Sequence, residues 1–225
     1  ALATTHRVIA PDLRGFGSSD TTPGTTTMRR FADDVAAVLD ALGVSDPVTF
    51  CGLSMGGYIA WQFWKHHAAR LGALVLCDTR AAPDSEDAAQ WRHDTAEKVL
   101  RQGRIPLVRA MIPKLFSQAT REQNPEMIEA VREMIGRASP EGIAAALRGM
   151  AEREDARGYL KQIDLPTLVL VGREDEISPV DEMQAIADEM PQAELVVIEN
   201  AGHMATLENP EATNAALVAF LKKLG

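Results

Sequence analysis

The serine in Cys51-Gly52-Leu53-Ser54-Met55-Gly56-Gly57-Tyr58 is the residue of this 225-residue chain best placed to do chemistry. An apolar run, residues 47–51, precedes it, and a helical pattern from Met55 to about His66 follows. The spacing therefore predicts Gly-x-Ser-x-Gly at a sharp strand-to-helix turn, where the hydroxyl is pushed out at the edge of a sheet. Such a strained turn needs small neighbours, and Gly52 and Gly56 stand two positions away on each side. The helix beyond directs its first N–H groups and the positive end of its dipole at the same point, so the Met55 N–H is expected to stabilise an oxyanion. Two glycines also permit an ordinary tight connection. The strand before and the helix after are what favour a nucleophile.

A serine hydroxyl is a poor nucleophile at neutral pH, so it needs a base in hydrogen-bond reach and a third group to orient that base. Of five histidines, His6 precedes the first apolar run, His66 and His67 end the helix after Ser54, and His93 lies in a helical stretch. His203 follows the apolar run 194–198 in the loop Glu199-Asn200-Ala201-Gly202-His203-Met204, at the edge where a parallel sheet presents its ligands. For the acid, Gly172-Arg173-Glu174-Asp175-Glu176 offers three carboxylates directly after a strand. Asp175 is the best candidate, because Ser54, Asp175, His203 is the chain order usual for this constellation. Glu174 and Glu176 are its immediate neighbours. Asp78, at the end of the run 74–78, is a second position for the acid, or else a cap on the helix that follows.

These residues need elements to hold them. Five β-branched or apolar runs, 7–10, 47–51, 74–78, 167–172 and 194–198, read as strands buried on both faces, and they alternate with helical patterns. That is the signature of an α/β protein with a parallel sheet and helices on both faces. Between the first two runs, Phe31, Val35, Val38, Leu39 and Leu42 fall at helical spacing and Gly43 follows as a C-terminal cap. The last helix starts near Pro210. Over residues 80–156 the strand signal vanishes, and four helical stretches punctuated by Pro83, Pro106, Pro113, Pro125 and Pro140 predict an inserted helical cap, too short to hold a large core alone. The core is then 1–79 with 157–225. Within the cap, Leu107, Met111, Ile112, Leu115 and Phe116 form a stripe that either lines an apolar acyl pocket or packs as cap core. The run Glu152-Arg153-Glu154-Asp155 reads as a solvated helix end.

Composition removes several function classes. Lys and Arg number 23 against 32 Asp and Glu, a net charge of −9, so no cationic surplus exists to neutralise nucleic acid or an anionic membrane. No apolar stretch reaches the ~20 residues of a membrane span, and the first residues lack the basic start and apolar middle of a signal peptide, which predicts a cytoplasmic location. Cys51 and Cys77 lie in apolar runs and read as buried free thiols. There is no CxxC, HExxH or glycine-rich phosphate loop, and adjacent His66 and His67 make a poor ligand pair, so neither a metal nor a cofactor is expected.

At this point the chain resembles the α/β-hydrolase family, and most closely its small carboxylesterase and enol-lactonase group. Residues 8–19, Val-Ile-Ala-Pro-Asp-Leu-Arg-Gly-Phe-Gly-Ser-Ser, are similar to the family's strand and loop before the nucleophile strand. Gly52 to Gly57 resembles its elbow, Gly172 to Asp175 its acid loop, and Ala201-Gly202-His203 its histidine loop. The resemblance implies two further strands ahead of residue 7, then one ending in a His-Gly loop that supplies a second oxyanion N–H; the sequence contains none of these. The run 7–10 is therefore expected to move beside the 47–51 strand and carry the loop 12–17 to the oxyanion. The open sheet edge left behind favours a homodimer that covers it. The expected activity is hydrolysis of a small carboxylic ester by Ser54, His203 and Asp175 through an acyl-enzyme. A lactonase or carbon–carbon hydrolase would use the same residues, and the rival is an impaired hydrolase serving as a dimeric binding module.

Overall fold

The computed structural model describes residues 2–225. Four parallel strands, β1 (Val48–Leu53), β2 (Leu71–Cys77), β3 (Thr167–Gly172) and β4 (Ala193–Ile198), lie side by side in chain order. The two inner strands are almost wholly buried, whereas β1 and β4 are only partly covered, as expected of edges. Alternation along the inner strands divides the core in two. Leu74, Leu76, Val169 and Val171 pack on α1 (Met28–Ala41), α2 (Met55–His67) and, later in the chain, α8 (Val180–Glu189). Val75, Cys77, Leu168 and Leu170 meet Phe220 of α10 (Pro210–Leu224) on the opposite face.

Residues 7–10 form no strand, which overturns the expected fifth strand and its pairing with β1. A strand requires a neighbour within reach to take its ladder hydrogen bonds, and residues 7–10 make none with the free edge of β1. Val8 is more than half exposed, and the loop beyond it is fastened elsewhere. Arg14 holds Asp34 of α1 through Nε at 2.7 Å and Nη2 at 2.6 Å, and Gly15 lies against Gly142, so closely that a Cβ on either would collide with the other's backbone. β1 is consequently left as an edge strand, and Cys51 on it is exposed rather than buried; Cys77 is buried, and both thiols are free.

Between β2 and β3 stand five α-helices rather than four: α3 (Glu86–Gln102), α4 (Ile105–Leu115), α5 (Gln118–Gln123), α6 (Pro125–Arg137) and α7 (Pro140–Ala151). The short α5, capped by the Ser117 side chain, was hidden between Phe116 and Pro125. α3 packs on α7 through Ala96, Val99, Ile143, Ala144 and Leu147. The 152–155 run is not uniformly solvated. Glu152, Glu154 and Asp155 are exposed, but the Arg153 side chain is only 4% exposed, 2.7 Å from the equally buried Asp84 and with its guanidinium 4.3 Å above the Tyr58 ring. Asp84 also receives Arg92. Asp84 lies just before α3 and Arg153 just after α7, so this pair fastens both ends of the insertion to each other and to α2.

Candidate active site

Ser54 sits between β1 and α2 with φ +52° and ψ −110°, a backbone that a residue with a Cβ adopts only when its surroundings force it. Three hydrogen bonds do so. The Ser54 N–H donates to Cys77 O (2.8 Å), and Ser54 O accepts from the Gly57 N–H (2.9 Å) and the Thr79 hydroxyl (2.7 Å). Gly52 is required because a Cβ there would strike the Gly56 carbonyl. Gly56 itself faces open space, and Gly57 is the second position without room, since its Cβ would enter the Thr79 side chain. Thr79 and Gly57 thus lock the turn, and only the doubled glycine hinted at them.

His203 is buried, with Nε2 2.8 Å from Ser54 Oγ and Nδ1 2.8 Å from Asp175 Oδ2. An ionised carboxylate only accepts, so Nδ1 carries the proton and Nε2 is free to accept from the serine. The Asp175 side chain is fully buried, and its other oxygen, Oδ1, accepts from the N–H groups of Ile177 (2.8 Å) and Ser178 (3.0 Å). Glu174 and Glu176 are exposed. His6 and His67 bind Thr5 and Asp33 instead, and neither they nor His66 and His93 reach Ser54. The three expected side chains are therefore brought together, 149 and 28 residues apart in sequence. Among the described residues, no cluster of three His, Cys, Asp or Glu has a metal-holding geometry.

The loop carrying His203 is held from two sides. Gly172 has no Cβ because Gly202 O lies in its place, and the Glu174 N–H donates to Ala201 O at 2.8 Å. Glu208, in the short helix α9 (Ala205–Glu208), accepts from the Gly202 N–H (2.7 Å) and the Ser117 N–H (2.9 Å), while the Met204 N–H donates to Leu115 O (3.0 Å). Glu208 therefore ties the histidine loop to the insertion; nothing in its local sequence marked it.

The Met55 N–H is the first of α2 and has no acceptor within the helix, so it is open to a ligand beside Ser54. The loop 12–17 does not replace the missing oxyanion loop: its hydrogen bonds run to α1, to residues 18–20 and within itself, Gly15 rests against Gly142 of α7, and no hydrogen bond joins it to the Ser54 turn. Asp78 neither meets His203 nor caps α3, a task that Ser85 performs for the Ala88 N–H. Instead it accepts from the Gly172 N–H at 2.8 Å. Burial raises its carboxyl to about 8, with the Gly172 N–H acting against the rise and the Asp175 charge adding to it. Of the stripe on α4, Ile112 and Phe116 are buried against Ile128, Val131 and Met204, so they are core of the insertion, and Leu107 packs near α3 and α7. A cavity of about 660 Å³ lined by Arg104, Ile105, Val108, Arg109 and Arg132 lies within the insertion and includes none of the three site residues.

A parallel sheet covered on both faces, with a serine on a strained turn and an acid and a histidine on later loops at the same edge, defines a class, and the chain belongs to it: residues 1–210 match the model of the α/β-hydrolase fold family. Esterases and enol-lactonases are among its relatives. The chain is 47% identical to a thermophilic esterase from Thermogutta terrifontis in its malate-bound structure, with a TM-score of 0.97 over 99% of this chain and 82% of that one. It is 32% identical over 216 residues to 3-oxoadipate enol-lactonase 2 of Acinetobacter baylyi, covering 96% of this chain and 79% of the relative. The enol-lactonase of Burkholderia xenovorans LB400 superposes with a TM-score of 0.86 at 28% identity, covering 93% and 78%. No helix of the described residues is long and apolar enough to cross a membrane.

Proposed function

We propose that the protein is a serine hydrolase of small carboxylic esters, with Ser54 as nucleophile, His203 as general base and acid, and Asp175 as the group that orients the imidazole. The observation that carries this reading is the unbroken hydrogen-bonded chain from Ser54 Oγ through His203 to Asp175 Oδ2 on the strained turn. As Ser54 Oγ attacks the ester carbonyl, its proton passes to His203 Nε2. The imidazolium is stabilised by Asp175, which stays ionised, and the new alkoxide faces the Met55 N–H. Collapse breaks the ester C–O bond, and His203 returns the proton to the leaving alcohol. Water then attacks the acyl-enzyme by the same proton route, releasing the acid and restoring Ser54.

The insertion over residues 80–156 acts in this proposal as the cap that shapes the acyl site, its α4 end being fixed to the histidine loop by Met204 and Glu208. A cyclic ester is a second substrate class, favoured by the enol-lactonase relatives. The free thiols suit a reducing compartment, the cytoplasm. The test is hydrolysis of p-nitrophenyl acetate and butyrate by wild type and Ser54→Ala. Wild type turns both over, and the variant loses at least about 10³-fold in kcat. A folded wild type with no turnover of either ester or of a simple lactone favours a binding module instead.

A further inference from the structure

A second carboxyl, Asp78, lies behind the Ser54–His203–Asp175 chain, and the mechanism above gives it no role. Asp78 follows β2 with a left-handed backbone (φ +46°), held by its N–H donating to Leu170 O at 2.9 Å. Its side chain is shut away from solvent. Oδ1 accepts from the Gly172 N–H, but Oδ2, equally buried, meets no donor. The Asp175 carboxyl is within hydrogen-bonding reach, and it comes from a different loop, the one after β3.

Two ionised carboxylates cannot share a dry site without a cation between them. No cationic side chain faces Asp78: the charged groups there are Asp175 and, from α9, Glu208, with the neutral Cys77 thiol alongside and His203 beyond Asp175. Asp175 already serves His203, Ile177 and Ser178, and an ionised carboxylate has about four acceptor sites, so one is left. An Oδ2 that meets no donor is costly as a bare acceptor and satisfied as an O–H pointed at an acceptor.

Building on the serine-hydrolase reading above, we propose that Asp78 is a neutral carboxylic acid whose Oδ2–H donates to the Asp175 carboxylate, making it a positioning residue for the acid of the site. The pair then holds one proton and one negative charge. Asp175 receives its fourth donor, its oxygen is fixed against His203 Nδ1, and the ends of β2 and β3 are joined through Gly172. Deprotonating Asp78 removes that donor and sets a second charge beside the first, so Asp175 loses its fixed position.

Infrared difference spectroscopy between wild type and Asp78→Asn tests the protonation without reference to activity. Wild type shows the carbonyl stretch of a buried carboxylic acid at about pH 7, lost in the variant and lost in wild type above about pH 9. Kinetics tests the positioning. Asp78→Ala lowers kcat about tenfold or more with KM little changed, and Asp78→Asn, which keeps a donor for Asp175 and an acceptor for Gly172, recovers most of that loss. Wild-type kcat declines from about pH 8 upward, whereas Asp78→Asn shows no such limb. Should Asp78→Ala not fold, the spectrum and the pH limb of Asp78→Asn decide. Absence of the acid band at about pH 7, or coincident alkaline limbs, overturns the proposal; a band present in a protein that hydrolyses nothing upholds the protonated pair and removes the hydrolase reading.

Discussion

Replacing Arg153 by Met probes how the insertion is anchored. The guanidinium is buried, lies 2.7 Å from Asp84, donates to Ala82 O from Nε (3.3 Å) and Nη2 (3.1 Å) and to Met150 O (3.2 Å), and stacks over Tyr58. Breaking a buried pair costs about 3–5 kcal/mol, mostly through the charge and acceptors left behind. Here Asp84 retains Arg92, so the low end, about 3 kcal/mol, is the appropriate figure. At about 2–4 °C per kcal/mol for a chain of this size, the melting midpoint should fall by about 6–12 °C. Arg157→Met is the control, since that arginine pairs with Asp155 on the surface and its loss should barely move the midpoint. Calorimetry or circular dichroism supplies the assay. A drop for Arg153→Met no larger than that of the control would refute the claim that Arg153 and Asp84 clamp the insertion.

Three further outcomes follow from the same geometry. Gly52→Ala drives a Cβ into the Gly56 carbonyl and should yield insoluble or inactive protein, whereas Gly56→Ala meets open space and should melt within a few degrees of wild type; equal stability of the two variants on a thermal melt contradicts the elbow packing. Glu208→Ala strands the Gly202 and Ser117 N–H groups and should cost about 1–3 kcal/mol in urea unfolding and lower kcat by loosening His203, so an unchanged urea midpoint and kcat count against the tie. Asp78 has a folded value near 8 against 3.8 in the unfolded chain, so native protein keeps a proton that the unfolded chain has lost. Its contribution to stability is full below about pH 4 and is lost as pH rises through about 8, and urea midpoints of wild type should fall relative to Asp78→Asn across that window rather than run parallel.

The residues proposed to do the chemistry were legible because each sits in a local pattern with its own physical signature. Ser54 lies between a strand and a helix with glycine at both flanks, and Asp175 and His203 each stand a few residues beyond an apolar run. What escaped depends on partners distant in the chain. Arg153 looks like one member of a charged surface run until Asp84, 69 positions earlier, is folded against it. Glu208 and Thr79 bond backbone atoms of other segments, and nothing in their own neighbourhoods signals it. The run at residues 7–10 has the composition of a strand, yet parallel pairing is non-local, and held away from the edge of β1 that composition gives no strand. Cys51 shows the same dependence, exposed because β1 is an edge.

The central claim, that Ser54 is a nucleophile activated by His203, is tested most directly by a serine-directed phosphonate read by peptide mass spectrometry. The account predicts one stoichiometric adduct on the peptide containing Ser54, none in Ser54→Ala, and labelling slowed by at least about 10²-fold in His203→Ala. Wild type that remains unlabelled, or that carries the adduct on another residue, would contradict it.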